Sequence, residues 1–280
     1  MSLKQAAADV LAVVDAGRYE VDGRDVTFNA VQAAAVDGTR LYRPADDEAV
    51  GSAPGRDTTV SVVEGTTQVV ARNLAVNAEH LAVLNFASAR NVGGGFLNGA
   101  KAQEEDLCRC SGLFRCLEPR AEYYQANRSQ TSLLYTDHAI FSPRVPFFKT
   151  RGTGDYLPNI FEASVITAPA PNTGPYLKRH PDGHDALRAT FTRRWRNVLR
   201  IARAESVDVL VLGAWGCGAF GGDPVMSSQT AREAIATDGG GIDRIVFAIP
   251  AKGRQSRENL HAFQRNLGTT DQDGGRDVRP

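Results

Sequence analysis

The chain reads as an α/β protein, with a mostly parallel sheet covered by helices on both faces. Three observations predict this. Apolar runs of strand length, LAVLNFAS (81–88), VDVLVLG (207–213) and IDRIVFAIP (242–250), alternate with stretches of helical periodicity. Those runs are nearly free of polar residues, as strands covered on both faces should be. Glycine-rich segments follow two of them directly, at the strand ends where open parallel sheets bind ligands.

The elements follow in order. Leu3, Ala7, Val10, Leu11 and Val14 recur at helical spacing, which predicts an amphipathic helix over 3–16 stopped by Gly17. Residues 18–55 hold short strand candidates and then the polar stretch RPADDEAVGSAPGRD, an accessory region running into a linker. TTVSVVEG begins the main pattern as a strand, followed by a short helix from Thr66 or Thr67 to about Asn73. After strand 81–88 comes the loop ARNVGGGFLNG and then a helix over 101–117, ending before Pro119. HAIFSP (138–143) and ASVITAP (163–169) read as strands, each stopped by proline. A long helix spans 185–204 with Leu187, Phe191, Trp195, Val198, Leu199 and Ala202 on its apolar face, and its run RRWRNVLRIAR reads as the polar face. Strand 207–213, the loop AWGCGAFGGDP, a helix opened by Pro224, strand 242–250 and a helix over 256–266 complete the order. The organisation expected is therefore an accessory region 1–55, a core 56–267 and a disordered tail 268–280.

Composition narrows the function classes. With 32 basic and 32 acidic residues the formal charge is zero, which argues against a broad nucleic-acid or membrane surface. Four cysteines are too few for a disulfide scaffold, and reduced, buried thiols are expected. Cys108 and Cys110 would project about 200° apart on a helix, a poor geometry for sharing a metal. His180 and His184 are spaced as a metal pair, but no third ligand is evident, and HPDGH reads rather as a solvated loop between helix and strand. Arg144, Lys149 and Arg151 are candidates for local positive potential. Asp9 and Asp15 interrupt the opening apolar stretch, so it does not read as a signal peptide, and no apolar run reaches membrane length. A cytoplasmic location is expected.

Two segments carry chemistry. In the first, Gly93-Gly94-Gly95 is followed after seven residues by Gln103-Glu104-Glu105. Three glycines let the backbone approach a ligand, and free N–H groups there would form a nest for a diphosphate. Glu104 and Glu105 fall in the first turn of the next helix, where acids ordinarily face solvent; beside an anion cradle they become candidates for glycosyl-bond chemistry. The helix dipole lowers a carboxyl pKa, whereas burial, the neighbouring acid and a bound diphosphate raise it. Asn91 is either a ribose ligand or a loop residue suited to a left-handed turn.

In the second segment, Gly216-Cys217-Gly218-Ala219-Phe220-Gly221 matches GxGxxG. An NAD site is disfavoured. The motif lies late in the chain, Asp223 opens the following helix, and the next strand ends in Ile249-Pro250 without the acid a ribose would need. A diphosphate cradle fits better, with Phe220 as an exposed platform, Trp215 as core and Cys217 as a thiol of low expected reactivity.

The segment LNFASARNVGGGFLNGAKAQEEDLCRCSGLF resembles the signature of the poly(ADP-ribose) glycohydrolases, especially their smaller bacterial-type members. GAWGCGAFGGDP is similar to that family's diphosphate loop, and the opening helix ending DAGRYEV also resembles the bacterial type; Val92 stands where many such members carry proline. The resemblance spans roughly residues 60–250. It implies a macrodomain fold, a mixed, mainly parallel sheet flanked by helices on both faces, and hydrolysis of ribose–ribose O-glycosidic bonds in poly(ADP-ribose), mainly from the chain end, releasing ADP-ribose. Glu105 would be the catalytic acid/base, Glu104 would hold ribose hydroxyls, and Gln103 would support the polar network. Asn91, Gly93, Gly94, Gly95, Gly216, Cys217, Gly218 and Ala219 would line the substrate, with Phe220 against the terminal ribose. No cofactor or metal is implied, because charge builds up on the sugar and the substrate's own diphosphate offsets it. The implied partners are poly(ADP-ribose), ADP-ribose and poly(ADP-ribosyl)ated proteins, without direct nucleic-acid or membrane binding. A non-catalytic ADP-ribose-binding macrodomain and a mono-ADP-ribosyl hydrolase are the alternatives.

Overall fold

The computed structural model describes residues 2–44 and 58–268. Ser2 accepts the Gln5 N–H and starts helix α1 (Leu3–Ala16), and Gly17 ends it in the left-handed region. Strands β1 (Arg18–Val21) and β2 (Arg24–Thr27) form a hairpin whose turn, Asp22-Gly23, has positive φ at both positions, as a two-residue turn requires. Helix α2 (Asn29–Gly38) follows. Its alanine-rich sequence and lack of a side-chain cap gave little signal. It leads into β3 (Arg40–Tyr42), an edge strand of the main sheet. The expected linker at 45–57 and tail at 269–280 lie outside the described residues.

The main sheet contains β3, β4 (Thr59–Glu64), β5 (Leu81–Ala87), β6 (Ala139–Phe147), β7 (Phe161–Pro169), β8 (Val209–Leu212) and β9 (Arg244–Ile249). Its order is β3-β6-β7-β5-β8-β9-β4. β6 is antiparallel to both β3 and β7, and the five strands from β7 to β4 run parallel. The carboxyl ends of the neighbouring strands β7, β5 and β8 therefore lie together at one end of the sheet, where the chain crosses from one half of the sheet to the other. β5 packs Val83 into one apolar layer and Ala82 and Leu84 into the other. One layer is covered by α1, α4 (Gln103–Cys110), α5 (Leu113–Leu117) and α6 (Ala121–Arg128). The other is covered chiefly by α8 (His184–Ala204), α9 (Pro224–Asp238) and α10 (Arg254–Leu267).

Four expectations are corrected. The helix predicted over 101–117 breaks into α4 and α5, because Gln32 of α2 occupies the space beside Gly112: a Cβ there would lie 1.5 Å from Gln32 Oε1. Gln32 Nε2 donates to Gly112 O, and Ser111 forms a bridge to Phe147. Strand β6 passes through Pro143 and Pro146, because the register shifts between Ser142 and Val145 and Arg144 takes φ +45°. The His180–His184 loop joins two helices, α7 (Thr173–Arg179) and α8, rather than a helix and a strand. Arg194 turns inward from the supposed polar face. It is 2 % exposed and donates to Asp137, Pro169 O and Leu134 O. Replacing Arg194 with Met should destabilise the protein by about 3 kcal/mol or more, measured by chemical denaturation, because the carbonyls and Asp137 stay buried without this donor.

Candidate active site

The site is built where α4 meets the end of β5. Gln103 fastens the helix to the strand: its Oε1 accepts the Phe86 N–H at 2.9 Å, and its Nε2 donates to Leu84 O at 2.8 Å and Thr67 Oγ1 at 3.2 Å. That clamp turns the first-turn acids into the protein. Glu104 is 2 % exposed and Glu105 6 %, so neither is the solvated acid such a position usually holds.

Glu104 accepts from Ser88 N–H at 2.7 Å and from Asn85 Nδ2 at 3.1 Å. Asn85 also donates to Thr167 Oγ1 on β7. Burial pushes the Glu104 carboxyl up to about 8; the Ser88 and Asn85 hydrogen bonds oppose the rise and the Glu105 charge adds to it. Because the folded value exceeds the ordinary one, the unfolded chain loses this proton first as pH rises. Stability should therefore fall between about pH 4.5 and 8, by on the order of 4–5 kcal/mol at most. Urea unfolding from pH 5 to 8 should show this slope in the wild type and a flatter one in Glu104→Gln.

Glu105 differs. Its Oε1 accepts the Gly95 N–H at 2.8 Å, while its buried Oε2 has no hydrogen-bond partner among the described residues. The glycines are required by contact: Gly94 has φ +60°, and a Cβ there would lie 2.4 Å from Glu105 Oε1 and 2.9 Å from Glu104 Oε2. The expectation that the amides of Gly93–Gly95 stay free for an anion is corrected. Gly94 N–H goes to Asn91 O and Gly95 N–H to Glu105, so this loop chiefly positions a carboxylate. Asn91 is exposed at the rim.

The second loop, 213–223 after β8, supplies the open amides. Gly216 (φ +80°) and Gly221 (φ +66°) fold it back so that Gly222 N–H reaches Gly216 O. The N–H groups of Gly218, Ala219 and Phe220 have no acceptor among the described residues. Successive free amides of this kind make a concavity suited to phosphate oxygens. Asp223 caps α9 by accepting the Val225 N–H, so the carboxylate is engaged there. Cys217 is buried and donates to Trp215 O; burial pushes its thiol up to about 12, which removes it as a nucleophile. Trp215 is core, and Phe220 is half-buried at the loop tip.

Several predicted features lie apart from the site. Lys149 is buried beneath the Tyr156 ring at 4.1 Å rather than contributing surface potential, and Arg144 pairs with Glu162. All four cysteines are buried and free. No group of three metal-ligating side chains occurs among the described residues, and no helix among them is long and apolar enough to cross a membrane. A groove of about 580 Å³ along α8 is lined by Arg188, Arg193, Arg196 and Arg200, which are tied to Glu233, Asp137 and Asp238. The sequence reasoning missed Asn85 and Ser88. A polar Asn inside the apolar run LAVLNFAS was the available signal.

Residues 7–150 match the family described as microbial-type PARG, catalytic domain. Poly(ADP-ribose) glycohydrolase from Thermomonospora curvata is 37% identical over 94% of this chain and 98% of its own, with a TM-score of 0.86. Its complex with the inhibitor ADP-HPD superposes with a TM-score of 0.85 at the same identity and coverage. The Deinococcus radiodurans enzyme in complex with ADP-ribose is 41% identical over 89% of this chain and 98% of its own, with a TM-score of 0.77. No curated protein matches. With its macrodomain-like sheet, its buried glutamate pair and its match to that catalytic domain, the chain belongs to the microbial-type poly(ADP-ribose) glycohydrolases.

Proposed function

We propose that this protein hydrolyses the ribose–ribose O-glycosidic bonds of poly(ADP-ribose), mainly from the chain end, and releases ADP-ribose. The observation that carries the reading is Glu105: its Oε1 is fixed by Gly95 N–H and packed against Gly94, while its buried Oε2 has no hydrogen-bond partner among the described residues. In the proposed cycle the amides of Gly218, Ala219 and Phe220 take the diphosphate, Gly216 and Cys217 shape that loop, and Phe220 covers the terminal ribose. Gly93 and Gly94 allow close approach, and Asn91 meets the ribose at the rim. Glu105, as the acid, gives its proton to the oxygen leaving the anomeric carbon. As the carboxylate it then takes a proton from the water that attacks the oxocarbenium-like centre, which restores the acid. Glu104, largely protonated near neutrality, offers a hydroxyl as well as an acceptor to the ribose. Gln103 holds the helix that carries both.

In this reading, residues 1–55 are an accessory region whose α1 and β3 are built onto the catalytic core 56–267. The partners are the polymer and the proteins that bear it. The test is incubation with purified poly(ADP-ribose) and chromatographic detection of products. Release of monomeric ADP-ribose supports the reading. Binding without release would make the protein a reader, and release only from singly modified protein would make it a mono-ADP-ribosyl hydrolase.

A further inference from the structure

Tyr135 has φ +61°, a left-handed backbone that a bulky aromatic residue seldom adopts and that glycine or asparagine would take at little cost. The residues around it hold it there. Asn127, fully buried on α6, accepts from both the N–H and the hydroxyl of Thr136. Arg194 donates to Leu134 O and, at 3.0 Å, to the Asp137 carboxylate. Asn197 donates to Asp137 O at 2.9 Å. The neighbours on each side are thus pinned from the protein interior, and Tyr135 is left in the strained conformation. Such strain persists where surrounding structure over-determines it, and it concentrates at ligand sites.

Helix α6, which leads into the segment, reaches the first glycine loop, and Tyr135 itself reaches the second. Arg128, at the end of α6, donates to Arg90 O beside Gly93, and Asn172 N–H, beyond β7, reaches Leu133 O. The half-buried Tyr135 ring stands 6.4 Å from the Phe220 ring at 47°, and Phe220 is held from behind by Gly174 N–H on its carbonyl. Those ring centres are too close for a sugar to insert between them; the pair instead forms a corner.

We propose that Tyr135 is a positioning residue of the ADP-ribose site, its ring bracing Phe220 in the orientation that receives the terminal ribose. The proposal rests on the reading that Phe220 covers that sugar. A ring in this role acts through its face, so the hydroxyl is dispensable, and losing the ring weakens ground-state and transition-state binding alike.

The test measures ADP-ribose binding by titration calorimetry, and kcat and KM on the polymer, for Tyr135→Phe, Tyr135→Gly and Tyr135→Asn. The Phe variant should match the wild type. The Gly and Asn variants, which keep the left-handed backbone without the ring, should raise Kd and KM by about tenfold while kcat stays within about threefold. Melting temperatures within a few degrees of the wild type would show that both still fold, and two different ringless side chains guard against either one misfolding. Wild-type Kd in either folded ringless variant overturns the proposal, and so does equal weakening in the Phe variant. A wild-type protein that binds ADP-ribose but releases none from polymer would sink the proposed function and leave the binding test of Tyr135 intact.

Discussion

Glu105→Gln should lower turnover on poly(ADP-ribose) by about 10³-fold or more while ADP-ribose affinity stays within about threefold of the wild type. The amide is isosteric, and its oxygen can accept the Gly95 N–H that Glu105 Oε1 accepts now at 2.8 Å. What disappears is a group able to give and then take a proton at the position of Oε2, the buried oxygen without a partner among the described residues. Calorimetry with ADP-ribose and product chromatography on the same preparation separate the two effects. Near-normal cleavage by this variant would remove Glu105 from the chemistry.

Gly94→Ala should be nearly as damaging, by a different route. The new Cβ would lie 2.4 Å from Glu105 Oε1 and 2.9 Å from Glu104 Oε2, and the left-handed φ of +60° adds roughly 1–2 kcal/mol of backbone strain. The strand beneath and the Gln103 clamp leave the carboxylates little room, so the loop or the acid must shift. A displacement near 1 Å at a catalytic group costs about 100-fold in rate. The control is Gly23→Ala, at φ +70° in the β1–β2 hairpin with nothing within 4 Å of the added carbon. It carries the same kind of strain and should leave kcat unchanged. If Gly94→Ala keeps full activity, the close packing of glycine on the glutamate pair has no catalytic consequence.

The architecture was readable because buried parallel strands announce themselves. Val83, Leu84, Val211 and Phe247 sit in runs that only a doubly covered sheet accommodates. The glutamate pair was readable from its spacing to the glycines, although not its burial, which depends on Gln103 reaching Leu84 and Phe86 across the β5–α4 junction. Features imposed by distant chain segments were illegible. Gln32 splits a helix some eighty positions away, and Arg194 is drawn inward by carbonyls at Leu134 and Pro169. The division of labour between the loops was also hidden. Whether an amide is free depends on what folds back onto it: among the described residues Gly94 and Gly95 find acceptors, whereas Gly218 and Ala219 do not. Tyr135 left no trace in the sequence, since its backbone is set by Asn127, Arg194 and Asn197 acting on its neighbours.

The proposed chemistry depends on one arrangement, a diphosphate on the second loop that delivers the anomeric carbon to Glu105. The most direct measurement is a crystal structure of the Glu105→Gln variant with ADP-ribose. The diphosphate oxygens should lie on the N–H groups of Gly218, Ala219 and Phe220, with the anomeric carbon within about 3.5 Å of the residue-105 side chain. A nucleotide bound away from that loop, or a residue-105 side chain turned out to solvent, would contradict it.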